Sequence, residues 1–251
     1  MSSPSSATRK PLAFDAVLID LDGTLMDTIP DLANAANTMR QELGLSSLPQ
    51  AQIATFIGKG AKNLVMRMLT VDANPASISP ELFEQARESY FRHLHRVNGE
   101  QSVMFDGVIS GLELMTGMGL RLAVVTNKAT EFTLPLLERT GLAPYFQAVV
   151  CGDTLAHAKP HPAPMLHACD LLKSIPARSV AIGDSINDAQ SARAAGCSVL
   201  AVPYGYNEGQ SVQTLDVDAI VESIEAAAHW IAARKYRTFQ NEIIEPESTR
   251  S

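Results

Sequence analysis

The sequence predicts an α/β protein: a parallel sheet flanked by helices, interrupted after its first strand by an all-helical insertion. Three observations carry that prediction. From about residue 105 onward, short β-branched or apolar runs alternate with helical patterns, the texture of βαβ units. One further run, Val17, Leu18 and Ile19, stands apart near the N-terminus and reads as a strand buried on both faces. Between the two lie about seventy residues of helical periodicity with no convincing strand.

Taken in order, the first strand breaks off at Asp20, Asp22, Gly23 and Thr24. A helix then places Leu32, Ala35, Ala36, Met39 and Leu43 on one stripe, with Pro30 at its start and Gly44 just past its end. Further helical segments cover about 49–57, 61–69 and 80–97. Beyond Phe105, Asp106 and Gly107, strands are expected at 122–125, 148–151, 180–182 and 199–202. The intervening helices are expected at 130–140, 162–172 and 188–195, and a long one at 217–231 runs on towards Tyr236. Right-handed crossovers would collect the strand ends on one edge of the sheet. The expected organisation is a Rossmann-like core from 13–26 and 104–238, a helical cap over 27–103, a disordered N-terminus over 1–12 and a flexible tail over 239–251. An insertion after the first strand overhangs the carboxyl-end face, where a lid belongs.

Composition narrows the partners. The 251 residues suffice for a large domain or a core plus a smaller module, and 46% hydrophobic content is ordinary for a globular chain. A formal net charge of −7 argues against a nucleic-acid backbone as partner. Cys151, Cys169 and Cys197 have neither metal-site nor redox spacing, so reduced, buried thiols in a cytoplasmic protein are expected. The Ser-rich N-terminus lacks the apolar core of a signal peptide. No run approaches the ~18 apolar residues that cross a bilayer, so no membrane partner is expected.

The chemistry gathers at the strand ends. Asp20 and Asp22 are two apart, so in an extended chain their side chains leave from one face. Two close like charges repel, and a hard divalent cation with oxygen ligands, Mg²⁺ by preference, resolves the repulsion. Gly23 lets the chain turn out of the strand. In open α/β sheets ligands bind outside the carboxyl ends of the strands, where these acids stand. The second strand ends in Thr126 and Asn127, a hydroxyl and an amide able to hold phosphoryl oxygens. Lys159 is a cation on a loop stiffened by Pro160 and Pro162, and a last strand end carries Gly183, Asp184, Ser185, Asn187 and Asp188.

In this order, D-x-D-G-T, T-N, K-P and G-D-S-x-N-D resemble the haloacid dehalogenase superfamily, and the helical block after the first motif resembles its members with an α-helical cap. The resemblance implies a Mg²⁺-dependent phosphoric monoester hydrolase of small phosphorylated metabolites. Asp20 would be the nucleophile, forming an aspartyl-phosphate, and Asp22 the general acid and base. The metal would sit on the Asp20 carboxylate, the Asp22 backbone carbonyl and Asp184, with Asp188 in support. Thr126 and Lys159 would hold the phosphoryl oxygens, assisted by the Gly23 and Asn127 backbone amides. An aspartate at position 22 sets the chain apart from superfamily members that dehalogenate or cleave phosphonates. Asp27, Ile57 to Gly60, Lys128 and Pro203 to Asn207 further resemble the bacterial phosphoglycolate phosphatases, which implies a substrate-specificity loop at Gly58, Lys59 and Gly60. Capped relatives acting on other sugar phosphates or pyrophosphate, or a hexose-phosphate mutase, share much of the pattern. A non-enzymatic scaffold would have no reason to keep Asp20, Asp22, Lys159, Asp184 and Asp188 together.

Plainer readings stand beside these. Lys59 also reads as a solvated residue at a helix start, and Tyr206 and Asn207 as a simple turn. Lys128 reads as a neighbour of the site, since Lys159 fills the cation role. The prolines around His157 and His161 break the helical spacing that shared metal ligation needs, so both read as loop surface. A monomer or homodimer is expected.

Overall fold

The computed structural model describes residues 14–242, with side chains through Arg234. The segment 1–12 and the end of the expected tail lie outside the described residues.

Six parallel strands form the main sheet: β1 (Ala16–Ile19), β4 (Arg121–Val125), β5 (Ala148–Val150), β6 (Ser179–Gly183), β7 (Ser198–Ala201) and β8 (Ala219–Ile220), in the order β5-β4-β1-β6-β7-β8. Its central strand β1 pairs in parallel with β4 and β6, so Asp20 emerges between the ends of two neighbours. All four β1 residues are fully buried, and alternation along the strands serves two apolar layers. On one face Val17, Ile19, Leu122, Val124, Val180 and Ile182 meet α5 (Val108–Gly117), α6 (Thr130–Arg139) and α9 (Ile224–Glu242). On the other, Ala16, Leu18, Ala123, Val125 and Ala181 meet α7 (Ala163–Leu171) and α8 (Ile186–Ala195).

Two helices depart from expectation, and the short strands β2 (Met26–Asp27), β3 (Val103–Met104) and β8 are additional. The helix expected from residue 217 begins at Ile224, because Ala219 and Ile220 pair in parallel with Leu200 and Ala201 of β7. The Asp218 carboxylate holds that start, accepting from the Val199 N–H at 2.7 Å and from Arg193 at 2.9 Å. Helix α9 continues through Glu242, into the segment expected to be tail. Helix α5 was not anticipated at all: its Gly111 lies so close to α9 that a Cβ would come within 2.5 Å of the Ile224 backbone.

Between β1 and α5 the chain builds α1 (Ile29–Glu42), α2 (Gln50–Ala54), α3 (Gly60–Thr70) and α4 (Pro80–Val97). Their apolar stripes converge on a separate core of Leu32, Ala35, Ala36, Met39, Ile53, Leu64, Val65, Met68, Tyr90 and Leu94, which also takes Phe132 from α6. Arg40 is fully buried there, with its guanidinium on the carbonyls of Ser46 and Met68 and on Asp72. Both chain crossings into this helical layer run side by side, as the antiparallel pair β2 and β3. Asp31 clamps the return crossing by accepting from the N–H groups of Gly99, Gln101 and Ser102 and from the Ser102 hydroxyl. Among the described residues no helix is long and apolar enough to cross a membrane.

Candidate active site

The end of the β1 ladder fixes the first acid: the Asp20 N–H donates to the Ile182 carbonyl at 2.9 Å. Lys159 reaches the same corner. Its ammonium donates to Asp188 Oδ1 at 2.6 Å and to the Val125 carbonyl at 2.7 Å. It also lies 2.8 Å from Asp20 Oδ1, an ion pair outside hydrogen-bonding angles. Asp184 accepts from the Thr24 hydroxyl at 3.2 Å and from the Tyr206 N–H at 2.6 Å. Asp188 opens α8 and takes the Ser185 hydroxyl and N–H on Oδ2, at 2.6 and 3.2 Å.

Asp20, Asp184 and Asp188 thus each offer an oxygen within 4.8 Å of the others. Burial, then repulsion from Asp188, raises the Asp20 carboxyl well above the ordinary range and pushes Asp184 up to about 7. Burial alone would lower the Lys159 ammonium, but Asp188 and Asp20 reverse that and hold it firmly protonated. When all three are ionised, the carboxylates against one ammonium leave a local charge of −2, and burial with this excess is why the Asp20 and Asp184 carboxyls are raised without a further cation. A hard divalent cation fits both the charge and the donor set. Gly23 makes room for this packing: its φ is +85°, and a Cβ there would lie 2.5 Å from Asp184 Oδ2.

Asp22 is held apart from that cluster. Its Oδ1 accepts from the Thr28 hydroxyl at 2.7 Å, and Lys128 Nζ lies 3.1 and 3.4 Å from its two oxygens. Thr126 is buried, and its hydroxyl oxygen accepts from the Lys128 N–H at 3.1 Å. The Asn127 amide is fully engaged, with Oδ1 on the Lys159 N–H and Nδ2 on the carbonyls of Lys159 and Gly58. It ties the cap loop to the core. The Gly23 N–H, expected at phosphoryl oxygens, instead closes the turn by donating to the Met26 carbonyl at 2.8 Å.

A cavity of about 670 Å³, counting its open mouth, lies between core and cap. Asp20, Asp22, Thr126, Asn127, Lys159, Asp184, Gly58 and Gly60 line it. Gly60 approaches closely, with φ +78° and a Cβ position 3.2 Å from the Asn127 carbonyl. Lys59 does not line the cavity. Its ammonium lies 2.7 Å from Glu208 Oε1, and Arg67 donates to Oε2 at 2.8 Å. Asp188 stands behind Lys159 rather than on the cavity wall.

The structure gives Tyr206 and Tyr90 contacts that the sequence does not announce. Tyr206, read as a turn, donates its hydroxyl to Asp27 Oδ1 at 2.9 Å and accepts from the Thr28 N–H at 2.8 Å. Tyr90 on α4 reaches the cavity wall, yet its helical position signals only burial. Lys128, which the sequence reads as a neighbour of the site, lines the cavity.

Comparison with known proteins follows the same lines. The model of the haloacid dehalogenase-like hydrolase family matches residues 17–202. A phosphoglycolate phosphatase of Thiobacillus denitrificans is 51% identical over 220 residues, covering 87% of this chain and 96% of that protein. One from Nitrosospira multiformis is 49% identical over 223 residues, covering 88% and 97%. The crystal structure of a predicted phosphoglycolate phosphatase from Haemophilus somnus superposes with a TM-score of 0.82 at 30% identity, covering 86% of this chain and 97% of that one.

Proposed function

The chain belongs to the haloacid dehalogenase-like hydrolases, and we propose that it is a Mg²⁺-dependent phosphatase converting 2-phosphoglycolate to glycolate and phosphate. The observation that carries the reaction class is the corner of Asp20, Asp184, Asp188 and Lys159, with Asp22 beside it on a cation of its own. The substrate rests on similarity to the phosphoglycolate phosphatases named above.

Mg²⁺, held by the carboxylates of Asp20 and Asp184 and the Asp22 backbone carbonyl with Asp188 in support, would supply Lewis-acid stabilisation of phosphoryl charge. Asp20 attacks phosphorus, its carboxylate forming the new P–O bond as the bond to the alkoxide oxygen breaks. Asp22 gives a proton to that leaving oxygen. It then takes one from the water that attacks the aspartyl-phosphate, so Asp20 is regenerated and phosphate leaves. Lys159 offsets the negative charge of Asp20 as it meets an anionic phosphoryl group. The Thr126 hydroxyl oxygen accepts from the Lys128 N–H, which leaves its proton free to donate to a phosphoryl oxygen. Because the Asn127 side chain is engaged, its backbone N–H is the group offered to phosphate. Gly58 and Gly60 bring the cap against the core and exclude water. The free, buried Cys151, Cys169 and Cys197 suit a cytoplasmic setting.

Phosphate release from 2-phosphoglycolate tests the reading. Release is expected with Mg²⁺, is abolished by EDTA, and falls at least ~10³-fold in Asp20→Asn, which keeps the side-chain shape but lacks the nucleophilic charge. Folded wild-type protein that releases no phosphate from this ester would sink the proposal.

A further inference from the structure

Among the described residues, two cations line the cavity, Lys128 and Lys159. Lys159 donates to Asp188 and the Val125 carbonyl and is ion-paired with Asp20. Lys128 faces a single carboxylate, Asp22, although its side chain is only 5% exposed. Its backbone is fixed by the Thr126 hydroxyl and by the Gly152 N–H, which donates to its carbonyl at 2.9 Å. Tyr90 reaches the same cavity from α4 and is 1% exposed. Its hydroxyl has no hydrogen-bond partner among the described residues, so it is open to a ligand that enters the cavity. Burial, then the charge of Asp22, keeps its phenol protonated and able to donate. Much of the remaining wall is apolar: Leu32, Ile57, Leu64, Leu94 and Phe132.

We infer that Lys128 and Tyr90 form the subsite for the carboxylate of a two-carbon phosphorylated acid, the lysine by a charge-assisted hydrogen bond and the tyrosine through its hydroxyl. The inference rests on the phosphatase reading and adds where the second charge of the substrate goes. Chain length makes the argument. Asp22 must touch the ester oxygen in order to protonate it, and the Lys128 ammonium lies 3.1 Å from Asp22. In 2-phosphoglycolate one methylene separates the ester oxygen from the carboxylate, so the carboxylate arrives beside that ammonium. A neutral group there would leave the Tyr90 hydroxyl unmatched and Lys128 with Asp22 as its one carboxylate, so the site discriminates against an ester that lacks the second charge.

The test compares kcat/KM for 2-phosphoglycolate with that for ethyl phosphate, which keeps the ester and the two-carbon skeleton but replaces the carboxylate with a methyl group. In Lys128→Met the ratio of the two is expected to fall at least tenfold, mainly through KM for 2-phosphoglycolate, and Lys128→Arg should recover part of it. Tyr90→Phe preserves the ring and provides an independent arm, with an expected fall of at least threefold. A ratio in Lys128→Met that falls by less than tenfold overturns the assignment, because a lysine that only positions Asp22 slows both esters together. An unchanged ratio in Tyr90→Phe removes the tyrosine from the subsite. Wild-type protein inactive on 2-phosphoglycolate defeats the functional reading itself; an active wild type with an unaltered ratio in Lys128→Met defeats the subsite alone.

Discussion

The two sides of the cavity hold their charges in opposite ways. In the core corner, three carboxylates share one ammonium, Asp184, Asp188 and Lys159 are buried, and the set sums to −2. At the cap rim, Lys59 and Arg67 share Glu208, with side chains 42%, 30% and 17% exposed, and the set sums to +1. The corner is spanned by rigid strand ends. The rim joins α3 and the residue before it to a loop whose Glu208 adopts a left-handed φ of 50°. Buried, unbalanced charge demands a counter-ion and suits chemistry. Partly exposed, nearly balanced charge is partly screened, contributes less to stability and suits a contact that closes and reopens.

The comparison breaks most severely at Lys159. Lys159→Met leaves three carboxylates without an internal cation, so unfolding free energy should drop by about 3–5 kcal/mol and phosphate release should become undetectable. Denaturant unfolding and a phosphate assay check both. If stability stays unchanged, the corner is not the strained cluster its geometry indicates. Mg²⁺ gives a smaller and reversible effect. At 100 times its dissociation constant it should add roughly 2.7 kcal/mol to wild-type stability by mass action, and far less in Asp184→Asn. Equal melting-temperature shifts in the two proteins would place the ion elsewhere.

The mildest intervention is at the rim. Partial burial raises the Glu208 carboxyl, but the hydrogen bonds and charges of Lys59 and Arg67 outweigh it and hold it below the usual glutamate value of 4.5. A carboxyl lowered by folding stabilises fully above its unfolded value and loses that contribution as pH falls through the folded one. Wild type should therefore lose up to about 1 kcal/mol of stability below pH 4.5 that Glu208→Gln does not lose, with the difference shrinking in high salt. Parallel pH-stability curves for the two proteins would mean that Glu208 does not latch the cap.

The same contrast explains what could be read without coordinates. The corner is legible because Asp20 and Asp184 follow strand ends, Asp188 stands in the first turn of a helix and Lys159 lies on a loop marked by prolines. Strand ends show abrupt changes from apolar runs to Asp, Thr and Gly. The rim is not, because Glu208 meets Lys59 across 149 residues and Arg67 across 141, with no local pattern to announce either pairing. For Lys59 the resemblance implies a place in a specificity loop and the plainer reading a solvated helix start; neither announces the ion pair with Glu208. Helix α5 escaped notice because its apolar residues, among them Val108, Ile109, Leu112, Leu114 and Met115, surround more than one face, and its packing rests on a glycine. The misplaced start of α9 has a similar origin: Val217 and Ala219 to Val221 fit a helical stripe, and only the neighbouring β7 edge turns them into strand.

The paired crossings β2 and β3 have a consequence at the level of the gene. Met26 stands opposite Met104 and Asp27 opposite Val103, so the chain leaves the sheet and returns to it at adjacent points. A stretch of DNA coding for everything between them has one entrance and one exit, side by side in the folded product. Recombination can lengthen it, shorten it or exchange it for an unrelated sequence without moving a strand of the sheet. A lineage can therefore keep its reaction and trade its clientele.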